Sequence, residues 1–371
     1  MEFSSVACPF CSLHCDDLHL QYDGGHWKLI SPPCSLASRC YGEVDSQNEA
    51  GNGKTLLQAV HILQNARSPM VLLGGDADQD TALATLRLAH GCSAYLIRDN
   101  ERSDVFANAV RITGLLSSSI IEFRNHADQI VILGEDSTIA HPRFWEFVGE
   151  KKKESAIRLG TKDCMKTIRQ LRIMTKGFAS QHKSKELEAI VQRMYKAESS
   201  ALFINDALIT SDVDLLTEIF LWLRDLNVNN KWFGQVISPS ANEAGISHIL
   251  REQTGFPGNI RFLNGQTHHD ARLFHLSSII ENQEADVILV VNGELPFTKR
   301  DRLDHVKVIT ISAQKPLPSP DAWLPCAQIG LDTAGVMFRL DGVPVQFSSL
   351  VDQRLPTARD YLNRLLERIA A

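Results

Sequence analysis

Apolar residues along this chain fall into short, dense runs separated by stretches with helical spacing. Leu56, Val60 and Leu63 recur at helical intervals up to Arg67, and Thr55 with Gln58 three residues on has the form of a capping box. The run Met70-Val71-Leu72-Leu73 follows and stops at Gly74-Gly75-Asp76. The unit returns as Ala94-Tyr95-Leu96-Ile97 ending at Asp99, and as Gln129-Ile130-Val131-Ile132-Leu133 ending at Gly134-Glu135-Asp136. Runs without polar alternation are those of strands covered on both faces, so the pattern predicts parallel sheet with crossover helices, these three strands sharing one sheet.

Beyond the basic patch Lys151-Lys152-Lys153 and a short run near Ile157, a polar helical tract from Lys183 to Glu198 marks a boundary. A second strand series follows: Ala201–Ile204, Val287–Val291 and Val306–Ile311. Near the end, Val336–Leu340 and Val343–Phe347 flank Asp341-Gly342, which reads as a hairpin with a two-residue turn, and a helix from Ala358 to Ile369 closes the chain. The organisation expected is an α/β protein with two Rossmann-like, doubly wound lobes and a small amino-terminal module: residues 1–50, 51–170 and 171–371.

With 371 residues, 44% hydrophobic and 22% charged side chains, the chain has ordinary globular composition. A net charge of −6 gives no footprint for nucleic acid or an anionic membrane. The greasiest run, Ile219–Leu223, is cut by Arg224 and Asp225, far short of a bilayer span of about 20 residues. No signal peptide is visible at Met1–Ser5, so the expected compartment is the cytoplasm.

Five of the eight cysteines crowd between Cys8 and Cys40. In a reducing compartment such crowding points to metal ligands more than to disulfides. Cys8, Cys11 and Cys15 form C-x2-C-x3-C, and Cys34 follows after a stretch, with Asp23-Gly24-Gly25 at its centre, that reads as a hairpin. An iron-sulfur cubane takes one thiolate per iron, and three from a compact turn plus one from a returning hairpin can surround it. Zinc also accepts four thiolates, but usually from paired C-x2-C units. Cys40 is an alternative to Cys34 as fourth ligand.

Three other groupings carry less. Gly53-Lys54-Thr55 resembles the end of a phosphate-binding loop, but Asn48 stands where its first glycine belongs and Asp45-Ser46-Gln47 is no strand, so a helix cap is the better reading. His268-His269-Asp270 with His275 would hold a metal only from a loop, since adjacent residues of a strand face opposite ways; a polar surface loop is expected. His141-Pro142-Arg143 follows a strand end, where open α/β sheets take ligands.

Three segments together resemble the B subunit of formylmethanofuran dehydrogenase, of the molybdopterin oxidoreductase superfamily: Cys8–Asp17, Ala127-Asp128 through Gly134 to Arg143, and Gly335–Pro344. The resemblance runs over nearly the whole chain. It implies the fold of molybdopterin oxidoreductases that lack the carboxyl-terminal pterin-binding domain, with a 4Fe-4S cluster on Cys8, Cys11, Cys15 and Cys34. In that family a tungsten or molybdenum bis-pterin interconverts carbon dioxide and formate, its metal held by the cysteine or selenocysteine of a V-C-H-G-P segment.

Here the equivalent stretch is Val105-Phe106-Ala107-Asn108-Ala109. Phe106 has no lone pair for tungsten and Ala107 no proton to transfer, so no catalytic residue is expected and no pterin. Arg143 is then a vestigial phosphate contact or a structural ion pair, and Gln253–Gly258 a loop from the old substrate side. The departure points to the B subunit of the bacterial formyltransferase/hydrolase complex of methylotrophs. That complex converts formyl-tetrahydromethanopterin to formate through a methanofuran-type carrier, with zinc hydrolase-like, C-type and formyltransferase subunits as partners. The alternative is an active tungsten or molybdenum dehydrogenase subunit.

Overall fold

The computed structural model describes residues 2–23, 26–43, 53–98, 102–134, 140–178, 184–209, 213–295, 303–352 and 355–370. The chain opens with strands β1 (Glu2–Val6), β2 (Leu18–Asp23) and β3 (His26–Ser31), then helix α1 (Ser35–Glu43). Next come α2 (Gly53–Gln64), β4 (Pro69–Leu73), α3 (Gln79–Gly91) and β5 (Tyr95–Arg98). The central stretch carries α4 (Arg102–Thr113), α5 (Ile120–His126), β6 (Gln129–Leu133), α6 (Phe144–Val148), β7 (Ile157–Leu159), α7 (Cys164–Thr175), α8 (Lys185–Lys196), β8 (Ser199–Asn205), α9 (Val213–Leu226) and β9 (Lys231–Ile237). After it follow α10 (Glu243–Thr254), β10 (Ile260–Leu263), β11 (Gln266–His269), α11 (Leu276–Glu281), β12 (Val287–Val291), β13 (Lys307–Ser312) and β14 (Ala322–Pro325). The hairpin β15 (Gly335–Phe338) and β16 (Pro344–Phe347) and helix α12 (Ala358–Ala370) end the chain.

The protein is mixed α/β, with two largely parallel sheets and a small antiparallel sheet at the amino terminus. That small sheet has the order β1-β2-β3. The large one runs β11-β10-β5-β4-β12-β13-β14, parallel from β5 to β14, with β10 and β11 antiparallel at one edge. A four-stranded sheet, β7-β6-β8-β9, is parallel throughout. In the large sheet the period-2 geometry of a strand divides the apolar residues between two layers. Val71, Leu73, Leu289 and Val291 pack with α2, α3, α10 and α12, while Met70, Leu72, Ile288 and Val290 pack with α11.

Two compact units emerge, and they do not follow the linear division expected from the sequence. One comprises Met1–Ser103, Ser240–Arg339 and Pro344–Ala371; the other is Asp104–Pro239 with Leu340–Val343. These units divide the chain differently from the expected boundaries at 50/51 and 170/171, and the strands group otherwise than expected. β6 pairs with β8 rather than with β4 and β5, and β12 and β13 return to the sheet of β4. Local hydrophobic pattern sets what a strand is, but not which sheet it joins.

Smaller differences have equally local causes. The hairpin turn is wider than the two residues expected, because Phe338 pairs with Pro344 and Arg339–Val343 span the connection; Gly342 takes a φ of 79° there. His268 and His269 lie in β11 instead of a loop. The helix expected from Thr55 is α2, which begins at Gly53 and so takes Thr55 into its first turn instead of its cap, and the tract entered at Lys183 becomes α8, with the Ser184 hydroxyl accepting from the Leu187 N–H. The expected features at Gly24-Gly25, Asp45–Asn48, Asp99, Glu135-Asp136 and Lys183 itself lie outside the described residues.

Candidate functional site

The cysteine loop joins β1 to β2 and is closed by its own backbone. The Cys8 N–H donates to the Cys15 carbonyl at 2.7 Å, and the His14 N–H to the Cys11 carbonyl at 3.2 Å, with His14 at a left-handed φ of 44°. Cys8, Cys11 and Cys15 are buried, Cys34 and Cys40 half-buried, and all eight cysteines of the chain are free thiols. Cys34 stands just before α1, where its Sγ receives the Ala37 N–H at 3.5 Å. Cys40 lies within the same helix.

The electrostatics tie these thiols together. Burial pushes the Cys8 thiol well up, and the neighbouring Cys11, Cys15 and Cys34 add to the rise. Cys11 is pushed up to about 11, by burial first, with Cys34 and Cys40 adding to it against the Leu13 and His14 N–H groups. Such thiols give up their protons only to a cation that takes the charge. His14 is held neutral, its pKa lowered to about 4 mainly by burial; its Nδ1 lies 3.2 Å from the Cys8 carbonyl and its ring stands edge-on to Phe347 at 5.1 Å.

The buried Cys8, Cys11 and Cys15 are consistent with an iron-sulfur site. Among the described residues, no three His, Cys, Asp or Glu side chains close in as a single ion requires, with zinc–sulfur bonds of about 2.3 Å. A cubane instead spreads its four thiolates over four irons. The Tyr41 hydroxyl is completely buried, with no hydrogen-bond partner among the described residues. Burial, then the charges of Cys8, Cys40 and Cys15, push its pKa up. It is a proton donor beside the cysteines with no acceptor among those residues.

Phe106 and Ala107 lie on α4. The Phe106 ring is half-buried, edge-on to Phe220 with centroids 6.0 Å apart, and packs with Val105 and Val110 against the core formed by β6, β8, α7 and α9. Arg143 is buried after β6, and its Nε donates to Glu146 at 2.8 Å while the guanidinium lies 5.7 Å from the Phe147 ring centre. Among the described residues the remaining histidines do not gather as a metal cluster. His269 stacks on Phe256 at 4.5 Å with its Nδ1 near the Gly258 and Asn259 carbonyls, and the His275 Nδ1 is 2.9 Å from the Ser277 hydroxyl.

Sequence reasoning missed the crevice where the chain reverses its winding in the large sheet, between the ends of β4 and β12. Gly74 lies so close to β12 that a Cβ there would sit 1.9 Å from the Asn292 carbonyl oxygen. A cavity of about 40 Å³ opens beside it, lined by Asp78, Thr81, Asn292, Ile329, Thr333 and Thr357. Asp78 caps α3 by accepting the Thr81 N–H at 3.1 Å, and burial raises its pKa despite that bond. The signal was present in Gly74-Gly75 and Asn292-Gly293, two glycine-bearing strand ends, but only the strand order makes them neighbours. The four-stranded sheet has its own reversal between β6 and β8, and there Asn205 and Leu208 crowd Gly134, each 3.1 Å from where a Cβ would stand.

No profile of a known protein family matches the chain. The B subunit of the tungsten-containing formylmethanofuran dehydrogenase 2 of Methanococcus maripaludis is 20% identical over 94% of each chain. Its counterpart in Methanocaldococcus jannaschii is 20% identical over 98% of each. Over nearly its whole length the chain is similar to formylmethanofuran dehydrogenase B subunits.

Solved structures show a similarity of fold. One chain of the formyltransferase/hydrolase complex of Methylorubrum extorquens, determined with methylofuran, superposes with a TM-score of 0.73 at 19% identity, over 86% of this chain and 98% of that one. Acetylene hydratase of Pelobacter acetylenicus gives 0.51 at 11% identity, covering 99% of this chain and 69% of that one. Among the described residues, no helix is long and apolar enough to cross a membrane.

Proposed function

We propose that this chain is a non-catalytic subunit, without a pterin-bound active site of its own, in a cytoplasmic formyltransferase/hydrolase-type complex, which takes formyl-tetrahydromethanopterin to formate through a methanofuran-type carrier in one-carbon oxidation. The carrying observation is the Phe106 ring, packed against Phe220 at the position where the resemblance places a metal-binding cysteine. A benzyl side chain offers no electron pair to a metal, and Ala107 beside it no proton. Arg143, engaged with Glu146, acts as a structural ion pair in this reading.

The two parallel sheets are then two Rossmann-like, doubly wound lobes. Cys8, Cys11, Cys15 and Cys34 would hold a 4Fe-4S cluster, with Cys40 as the alternative fourth ligand; such a cluster supplies one-electron transfer or a purely structural brace. Hydrolytic and formyl-transfer chemistry resides on partner chains, the zinc hydrolase-like, C-type and formyltransferase subunits.

Elemental analysis of the intact complex tests the reading. Iron without stoichiometric tungsten or molybdenum is expected, and removal of this chain should destabilise the assembly. Stoichiometric tungsten or molybdenum overturns it in favour of an active dehydrogenase subunit, as does formate-dependent reduction of an artificial dye.

A further inference from the structure

Arg98 ends β5 almost fully enclosed, with 2% of its side chain exposed. One terminal amino group donates to Glu243 at 2.7 Å and the other to the Ser247 hydroxyl at 3.3 Å, while Nε has no acceptor among the described residues. Glu243, Ser247 and Arg251 stand four residues apart on α10 and so share one face of that helix. Arg251 turns its Nε to the Ser247 carbonyl at 2.9 Å, and among the described residues its two terminal amino groups have no hydrogen-bond partner. Burial and the charge of Arg98 both lower the Arg251 pKa, with Glu243 opposing them.

The wall beside this pair is fixed. A Cβ on Gly258 would stand 2.6 Å from the Arg98 Cγ, so the Thr254–Gly258 loop lies directly on the arginine stem. The Phe256–His269 stack and the approach of His269 Nδ1 to the Gly258 carbonyl, at 3.0 Å, hold that loop in place. Two guanidinium groups thus share one carboxylate at the carboxyl end of a parallel strand, the side on which open α/β sheets take ligands. Positive charge withdrawn from water without a counter-ion is costly, and a guanidinium edge matches two oxygens of an anion.

We propose that Arg98 and Arg251 form a binding site for a compact oxyanion, a carboxylate or a phosphate, seated on the free edge of Arg251 and walled by the Thr254–Gly258 loop. The site is independent of the cysteine loop and of Phe106, and it stands whichever reading of the redox chemistry holds.

Thermal unfolding and calorimetric titration of the full chain with inorganic phosphate and with acetate, against chloride at equal ionic strength, test it. A saturable rise in melting temperature with either anion is expected, and the anion that produces it names the class. Arg251→Gln should weaken binding by about tenfold or more, the worth of one charge-assisted hydrogen bond. Exposed Arg87→Gln should leave it unchanged. Bound anion should also shield Arg251 from phenylglyoxal, read by peptide mass spectrometry, which needs no variant to fold. No saturable response to either anion overturns the site, and equal binding by R251Q overturns it too.

Discussion

The loop between β1 and β2 and the helix α4 are two places where the resemblance puts redox machinery, and they have gone opposite ways. The loop keeps every sulfur donor, three of them buried, and the raised pKa of Cys8 and Cys11 keeps these two protonated unless a cation takes the charge. The helix presents an aromatic ring that lies against another ring and helps fill a core. A donor set kept buried remains of use to the fold when it holds something. A ligand position rebuilt in hydrocarbon stabilises by packing alone. Each position must be judged on what its own side chains touch.

The largest effect that would break this contrast lies in the loop. Cys11→Ser should strip iron from the purified chain and lower its stability by several kcal/mol, through loss of metal-coupled folding; elemental analysis with thermal melting checks it, and an unchanged melt would remove the structural role. On α4, Phe106→Ala should cost about 2 kcal/mol in urea unfolding, below the range for a fully enclosed ring because the side chain is half-buried. Phe106→Cys with Ala107→His should confer no formate-dependent dye reduction.

Two finer tests sharpen the comparison. Asp78, like the thiols, is a buried acid kept at a strand-end crevice, with a pKa raised in the folded chain. Its contribution is present below the unfolded value of 3.8 and is lost as pH rises through the higher folded value. Asp78→Asn keeps the helix cap, so the variant should match the parent at low pH and exceed it at pH 7, as denaturant curves across pH would record. The smallest change is at Tyr41. Tyr41→Phe should shift the metal-free chain by less than about 0.5 kcal/mol and destabilise the iron-loaded chain by about 1 kcal/mol, the worth of a single hydrogen bond.

Strands buried on both faces were legible as such: Met70–Leu73, Ile130–Leu133 and Val287–Val291 are uninterrupted apolar runs, and all became strands. β11 was not, because Gln-Thr-His-His at the sheet edge carries no apolar signal and is made a strand only by pairing with β10. The cysteine spacing identified the loop, but not that Cys34 would receive a helix N–H or that Tyr41 would lie beside the thiols. The crevice at Gly74 and Asn292 and the Arg98–Arg251 pair each join residues far apart in sequence, and they depend on a strand order that no local period encodes.

The interruption of the first unit by the second carries a consequence for biosynthesis. Asp104–Pro239 is continuous apart from Leu340–Val343, whereas the sheet begun by β4 and β5 lacks its neighbours β12 to β14 until much later residues have been translated. During vectorial synthesis the inserted segment is thus nearly complete while its host is still a half-built sheet with a bare strand edge, the condition in which nascent chains depend most on chaperones.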